Sequence, residues 1–150
     1  MRRLIVVAGL CWLDPRRILV QRRAVGAAHG AGMLEFPGGK VEPGEAPTAA
    51  LARELVEEWG AGAAAARIGE IAGVLHHDYP PPGPEVILLL YHVDGRALGA
   101  KGAWRGRLRP TGGEEIEEIE LDRLADAEFL AADRPQIARL RAGTLGPPDT

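Results

Sequence analysis

Lysine is nearly missing from this chain: only Lys40 and Lys101 interrupt a basic complement that is otherwise arginine. In a sequence so rich in Ala, Gly and Pro, that scarcity reads as codon composition and carries no function. Cysteine occurs once, as Cys11. A single thiol excludes a disulfide framework within the chain and fits a reducing compartment. Cys11 itself reads as a buried strand residue. Positive charge is not in excess either, the net charge being −3. No bulk attraction toward a nucleic-acid polymer or an anionic membrane follows from it, so a bound nucleotide must find its charge match locally or from metal. No apolar run is long enough to span a bilayer. Residues 4–13 follow Arg2-Arg3 and resemble the start of a signal peptide. The turn pair Asp14-Pro15 and a second strand-like run come next, where a small-residue cleavage site would be needed. The expected location is cytoplasmic.

What is present describes one ordinary globular domain. The chain has 150 residues, 46% hydrophobic and 26% charged, enough to build a core. Residues 4–13 and 17–23 are β-rich runs around a turn, a hairpin-like pair. Residues 24–32 form a Gly-rich loop with His29 at its centre, and 33–36 a short strand stopped by Pro37-Gly38-Gly39. A strand is expected over 67–79, ended by the proline run Pro80-Pro81-Pro82. The continuous apolar run 86–93 reads as a central, doubly covered strand. Residues 95–113 show no period and read as a long connection, of the kind that is functional or mobile. Trp104 and Arg105 lie in it. A strand-like Ile116/Ile119 pair follows inside an acidic run. A helix is expected over 133–140, capped by Asp133 with Pro135 in its first turn. The expected fold is α/β (α+β): an α/β/α sandwich with a mixed central sheet, a domain over 1–142 and a flexible tail over 143–150.

The most informative stretch is 39–61. A Gly/Pro-rich loop runs into a helix expected over 47–59. Pro47 suits its first turn and Gly60 the position just past its end. Leu51, Leu55 and Trp59 recur every four residues as one apolar stripe. Glu54, Glu57 and Glu58 stand at i, i+3 and i+4 and share another face. Three crowded carboxylates repel one another, which makes sense if a hard divalent cation neutralises them.

Gly39, five residues, Glu45, seven residues and then Arg53-Glu54-Leu55-Val56-Glu57-Glu58-Trp59-Gly60-Ala61 resembles the Nudix box. The departure is Ala61, where the family carries a larger aliphatic residue. The resemblance implies hydrolysis of a nucleoside diphosphate linked to another group. It implies Mg²⁺ or Mn²⁺ held by Glu54, Glu57 and Glu58, with the Gly38 carbonyl joining the metal shell. Arg53 then pairs with a box glutamate, Glu57 being four residues along, and Glu45 takes a structural or outer-shell place. The general base is left between Glu54 and an acid of the distant run, with Glu114 and Glu115 as candidates.

Gln21-Arg22-Arg23-Ala24 and Leu34-Glu35-Phe36-Pro37-Gly38-Gly39-Lys40-Val41-Glu42 are similar to the MutT-like branch, which hydrolyses oxidised dGTP to the monophosphate and pyrophosphate. By that resemblance Arg23 contacts substrate phosphate, Phe36 lies by the base pocket, and Asp133 falls where an Asn or Asp reads the base edge. Each has a plainer reading: a strand-end arginine, a core aromatic and an N-cap. The branch's arginine by the base is absent from the turn over 79–85, where Tyr79 reads equally as a stacking surface for a base and as ordinary packing. Cytidine nucleotides, ADP-ribose and dinucleoside polyphosphates stay open as substrates, as does a nucleotide-binding module without catalysis. The expected partner is a nucleotide, with no membrane and no nucleic-acid polymer, and the chain is expected to be a monomer or homodimer.

Overall fold

The computed structural model describes residues 2–148. Seven strands and two helices follow in the order β1 (Arg3–Asp14), β2 (Arg17–Arg22), β3 (Leu34–Glu35), β4 (Gly38–Lys40), α1 (Pro47–Trp59), β5 (Arg67–Asp78), β6 (Glu85–Asp94), β7 (Glu115–Glu120) and α2 (Arg134–Ala142). The strands form one sheet in the order β3-β2-β1-β6-β5, with β4 added to β1 and β7 to β2. The β1–β6 pair is parallel and the other pairs are antiparallel, so the sheet is mixed as expected.

Strand β1 organises both layers. Alternate residues of a strand face opposite sides, and β1 is apolar on both. Val7, Cys11 and Leu13 pack under α1 with Leu51, Leu55, Trp59 and Val93. Ala8, Leu10 and Trp12 pack on the other side with Leu90, Phe129, Ile137 and Leu140 of α2. Helices on both faces complete the α/β/α sandwich. Burial at this position pushes the Cys11 thiol up to about 12, far from a reactive thiolate.

Three expectations change. The connection over 95–113 is neither irregular nor free. Leu98, Trp104 and Leu108 are buried against the α1 core, and a 3-10 helix forms at Ala103–Gly106. Trp104 Nε1 donates to Glu118 at 2.8 Å, so the buried ring anchors the loop. Three anchors at unequal spacing leave no period to read. The tail over 143–150 begins with Gly143 at φ 77, closing α2, but Leu145 is 5% exposed and joins the α2 core. Residues 149–150 lie outside the described residues. Asp133, finally, makes no side-chain cap on α2; its carboxyl is engaged elsewhere.

Candidate active site

Helix α1 delivers the acids. Its apolar stripe docks on β1, and the flank left free carries Glu54, Glu57 and Glu58. Arg53 sits among them as a hub. Its Nε and one terminal nitrogen grip Glu45 bidentately at 2.8 and 2.9 Å. The other terminal nitrogen donates to Glu54 at 3.0 Å and to Glu57 at 3.2 Å, and the Lys40 carbonyl accepts at 3.1 Å. The expected Arg53–Glu57 pair is present, but the fork belongs to Glu45. A bidentate charge-assisted bond is stronger than a single one, and it holds the Glu45 carboxyl down at about 2. Arg53 thereby ties the glycine loop to the glutamate face of the helix.

Glu58 is held quite differently. It accepts from the Gly38 N–H at 3.0 Å and from the Gln21 side-chain amide. Gln21 in turn accepts from Trp59 Nε1 at 2.8 Å. Gln21 is 4% exposed, so this relay fixes the Glu58 rotamer from inside the core. Desolvation pushes the Glu58 carboxyl up to about 8, and it raises Glu54 as well. For Glu54 the Arg53 guanidinium only partly offsets burial, and Glu58 is held by neutral donors alone.

Among the described residues, no three His, Cys, Asp or Glu side chains are gathered closely enough to hold a metal ion. Each glutamate of α1 has taken its own partner: Arg53 for Glu54 and Glu57, Gln21 and Gly38 for Glu58. The donor set still fits a hard cation. It is all oxygen, it lies on one helix flank, and two of its members are acids that burial penalises as anions. The backbone is cut to suit it: a Cβ on Gly39 would stand 2.4 Å from the Glu54 carboxyl carbon. The glycine loop therefore approaches the glutamates as closely as any backbone can.

Beside these acids opens a cleft of about 400 Å³, within the range of small-ligand sites. Gln21, Arg23, Glu35, Gly38, Glu58 and Glu114 line it. Arg23 donates to Glu35 at 3.1 Å and to the His29 carbonyl at 2.8 Å, which orients its guanidinium in the cleft wall. Glu114 joins the lining, whereas Glu115 does not. Glu115 opens β7 opposite Arg22 and alternates away from Ile116, the residue that faces the α1 core. Of the two candidates in the acidic run, only Glu114 stands at the cleft.

The residues expected at the base cluster on the α2 side. The Phe36 N–H donates to Asp133 at 3.3 Å, and the Phe36 ring packs on Phe129 at 6.1 Å. Tyr79 lies edge-on to His77 at 4.3 Å and to His29 at 5.9 Å. Burial raises its hydroxyl, and the charge of Asp133 adds to that. Asp133 is 4% exposed, and burial pushes its carboxyl up to about 7. A group with a raised folded-state pKa adds stability below its unfolded pKa and loses it as pH rises through the folded one. Asp133 should therefore destabilise the fold progressively between about pH 4 and 7. Asp133→Asn keeps an acceptor for Phe36 and removes that titration. Urea unfolding at pH 8 should show the variant more stable than wild type by up to about 4 kcal/mol, with no gain at pH 4. Equal gains at both pH values would contradict the buried-acid assignment.

Gln21 and Glu35 belong to this site without having been singled out by sequence. Their signal was their place inside the two segments that flank the glycine loop.

Fold and site together define an α/β/α sandwich with a glycine loop and a glutamate helix beside an open cleft. The family model for the NUDIX domain matches residues 3–141, and the chain belongs to the Nudix family. It is a MutT-like Nudix hydrolase. It is 32% identical over 141 residues to the 8-oxo-dGTP diphosphatase of Escherichia coli K12, covering 94% of this chain and 98% of that protein. It is 40% identical over 93 residues to the CTP pyrophosphohydrolase of the same organism, covering 62% and 64%. The crystal structure of a MutT protein from Methanosarcina mazei Go1 shares the fold, with a TM-score of 0.71 at 22% identity over 95% of this chain and 96% of that one. No helix among the described residues is long and apolar enough to cross a membrane.

Proposed function

We propose that this chain is a divalent-cation-dependent nucleoside triphosphate pyrophosphohydrolase, with oxidised dGTP as its leading substrate and removal of damaged nucleotides as its service. The observation that carries the reading is the cleft lined by Glu58 of α1, Arg23 and Glu114, with Phe36 and Asp133 packed nearby. Glu54, Glu57 and Glu58, with the Gly38 carbonyl, would hold Mg²⁺ or Mn²⁺. The bound cation would neutralise phosphate charge and lower the pKa of an attacking water. Arg23 would bind a phosphate oxygen, exchanging part of its contact with Glu35. Arg53 keeps Glu45, Glu54 and Glu57 in register and takes no proton. Glu54 or Glu114 would accept the proton of the water as it attacks phosphorus in line. Tyr79 offers a flat face to a base. Asp133, poised near 7, presents either a carboxylate acceptor or a carboxylic-acid donor to the base edge.

A second reading keeps this chemistry and changes the base to cytosine. The likeness to a CTP pyrophosphohydrolase favours it, as does the absence of an arginine from the turn over 79–85. One experiment separates the two: incubation with Mg²⁺ and a panel of nucleotides, with products identified. The leading reading predicts monophosphate and pyrophosphate from oxidised dGTP at least about tenfold faster than from dGTP, a discrimination of about 1.4 kcal/mol. Fastest turnover of CTP or dCTP selects the second reading. Preference for ADP-ribose would overturn both.

A further inference from the structure

We infer that Thr111 is a positioning residue that clasps the end of the metal-binding helix and sets Glu114 against it. The inference rests on the hydrolase reading above and assigns a role to a segment that the reading leaves unused. The last carbonyls of a helix have no partners within it. In α1 those carbonyls belong to Glu57, Glu58 and Trp59, so two of them sit on proposed metal ligands. All three are satisfied by one short segment of the Arg-rich connection, Arg109 to Thr111. Arg109 N donates to Trp59 O at 2.7 Å, and Thr111 N donates to Glu58 O at 3.1 Å. The Thr111 hydroxyl donates to Glu57 O.

The same segment holds Glu114 from its other side. One carboxyl oxygen of Glu114 accepts from Thr111 N at 3.3 Å and from Gly112 N at 3.2 Å. Gly112 makes this approach possible, since a Cβ there would lie 2.7 Å from Glu114 Oε2. The connection is itself anchored upstream by buried Trp104 and Leu108. Among the described residues, Thr111 is thus the one that bonds to the carbonyls at the end of α1 and to the side chain of Glu114. Loss of its hydroxyl frees the Glu57 carbonyl and loosens the turn that presents Glu114.

The test is Mn²⁺ binding by calorimetry alongside steady-state kinetics, on Thr111→Val, Thr111→Ser, Glu114→Gln and the Thr111→Val/Glu114→Gln double variant. Val keeps the shape and removes the hydroxyl; Ser restores it. Partners of metal ligands cost about 10–100-fold in affinity or activity when removed. Thr111→Val is expected to weaken Mn²⁺ about 10-fold and to lower kcat with little change in KM, and Ser is expected to recover both. The double variant should be no worse than Glu114→Gln alone, because the two act as one unit. A purely structural clasp would lower Tm, leave the Mn²⁺ affinity unchanged and give additive losses; that outcome overturns the inference. Wild-type protein that binds no Mn²⁺ would overturn the hydrolase reading and this inference together. Wild-type binding with an unaffected Thr111→Val removes the inference alone.

Discussion

Glu57→Gln is expected to lose nearly all hydrolysis while folding normally. Glu57 is the most exposed of the three α1 acids, its side chain being 56% exposed. Among the described residues its only side-chain bond is a shared one, at 3.2 Å to Arg53. Exposed ion pairs contribute about 0–1 kcal/mol to stability, so thermal unfolding should hardly move. The catalytic cost is another matter. A cation that stabilises charge on the reacting phosphate supplies several kcal/mol, and losing roughly 3–5 of these lowers kcat by about 10²–10⁴-fold. The measurement is kcat/KM at saturating Mg²⁺, with Tm measured in parallel. Glu58→Gln should cost similarly in rate but behave differently in stability. Its buried carboxyl, pushed up to about 8, becomes a neutral amide that suffers no charge burial. Wild-type activity in Glu57→Gln would sink the assignment of these acids as metal ligands.

Gly39→Ala should disable the site through a single methyl group. Gly39 pairs with Val7 in the β4–β1 ladder and is not among the residues at positive φ, so alanine fits the backbone. The added Cβ would nevertheless meet the Glu54 carboxyl at 2.4 to 2.7 Å. The atoms it strikes are the far end of a flexible side chain. The fold can relieve the contact by moving that carboxylate, at a cost of about 1 kcal/mol for one off-rotamer side chain. The displaced group is the presumptive metal ligand, and misplacement by 1 Å costs on the order of 10²-fold in rate. The expected result is a folded, nearly inactive protein whose rate partly recovers in excess Mn²⁺. A variant as active as wild type would show that Glu54 has no fixed place in the reaction. Gly38→Ala makes the contrast: its Cβ would lie 1.9 Å from the Val7 carbonyl oxygen, a clash with backbone that no rotamer relieves.

Much of the scaffold was readable because its signals are local. Helix α1 runs over Pro47–Trp59, where the four-residue stripe and the terminal Pro and Gly put it. The strands of residues 4–13, 67–79 and 86–93 needed only apolar content and a breaker that follows them. β4 was not readable. Gly38–Lys40 has no side-chain pattern and is a strand only because β1 lies beside it. The cap on α2 failed for a related reason. Asp133 has the residue type and position of an N-cap, but the Phe36 N–H arrives from 97 residues away and takes its oxygen. Glu114 and Glu115 could not be ranked from sequence, since β7 begins at Glu115 and Glu114 is set in the turn before it by the Thr111 and Gly112 N–H groups.

By itself, then, the sequence determined the glutamate helix, its glycine loop and the chemistry they imply. Spacing of i, i+3 and i+4 on a helix is a property of consecutive residues and needs no fold to hold. Tertiary structure decided what each acid is bonded to. Glu58 answers to Gly38 and Gln21, 20 and 37 residues away, and the end of α1 answers to Thr111, 54 residues on from Glu57. Such partners are chosen by the closing of the sheet and the packing of a loop around Trp104. They fix how far each carboxylate is desolvated, and so how much each would gain from a cation.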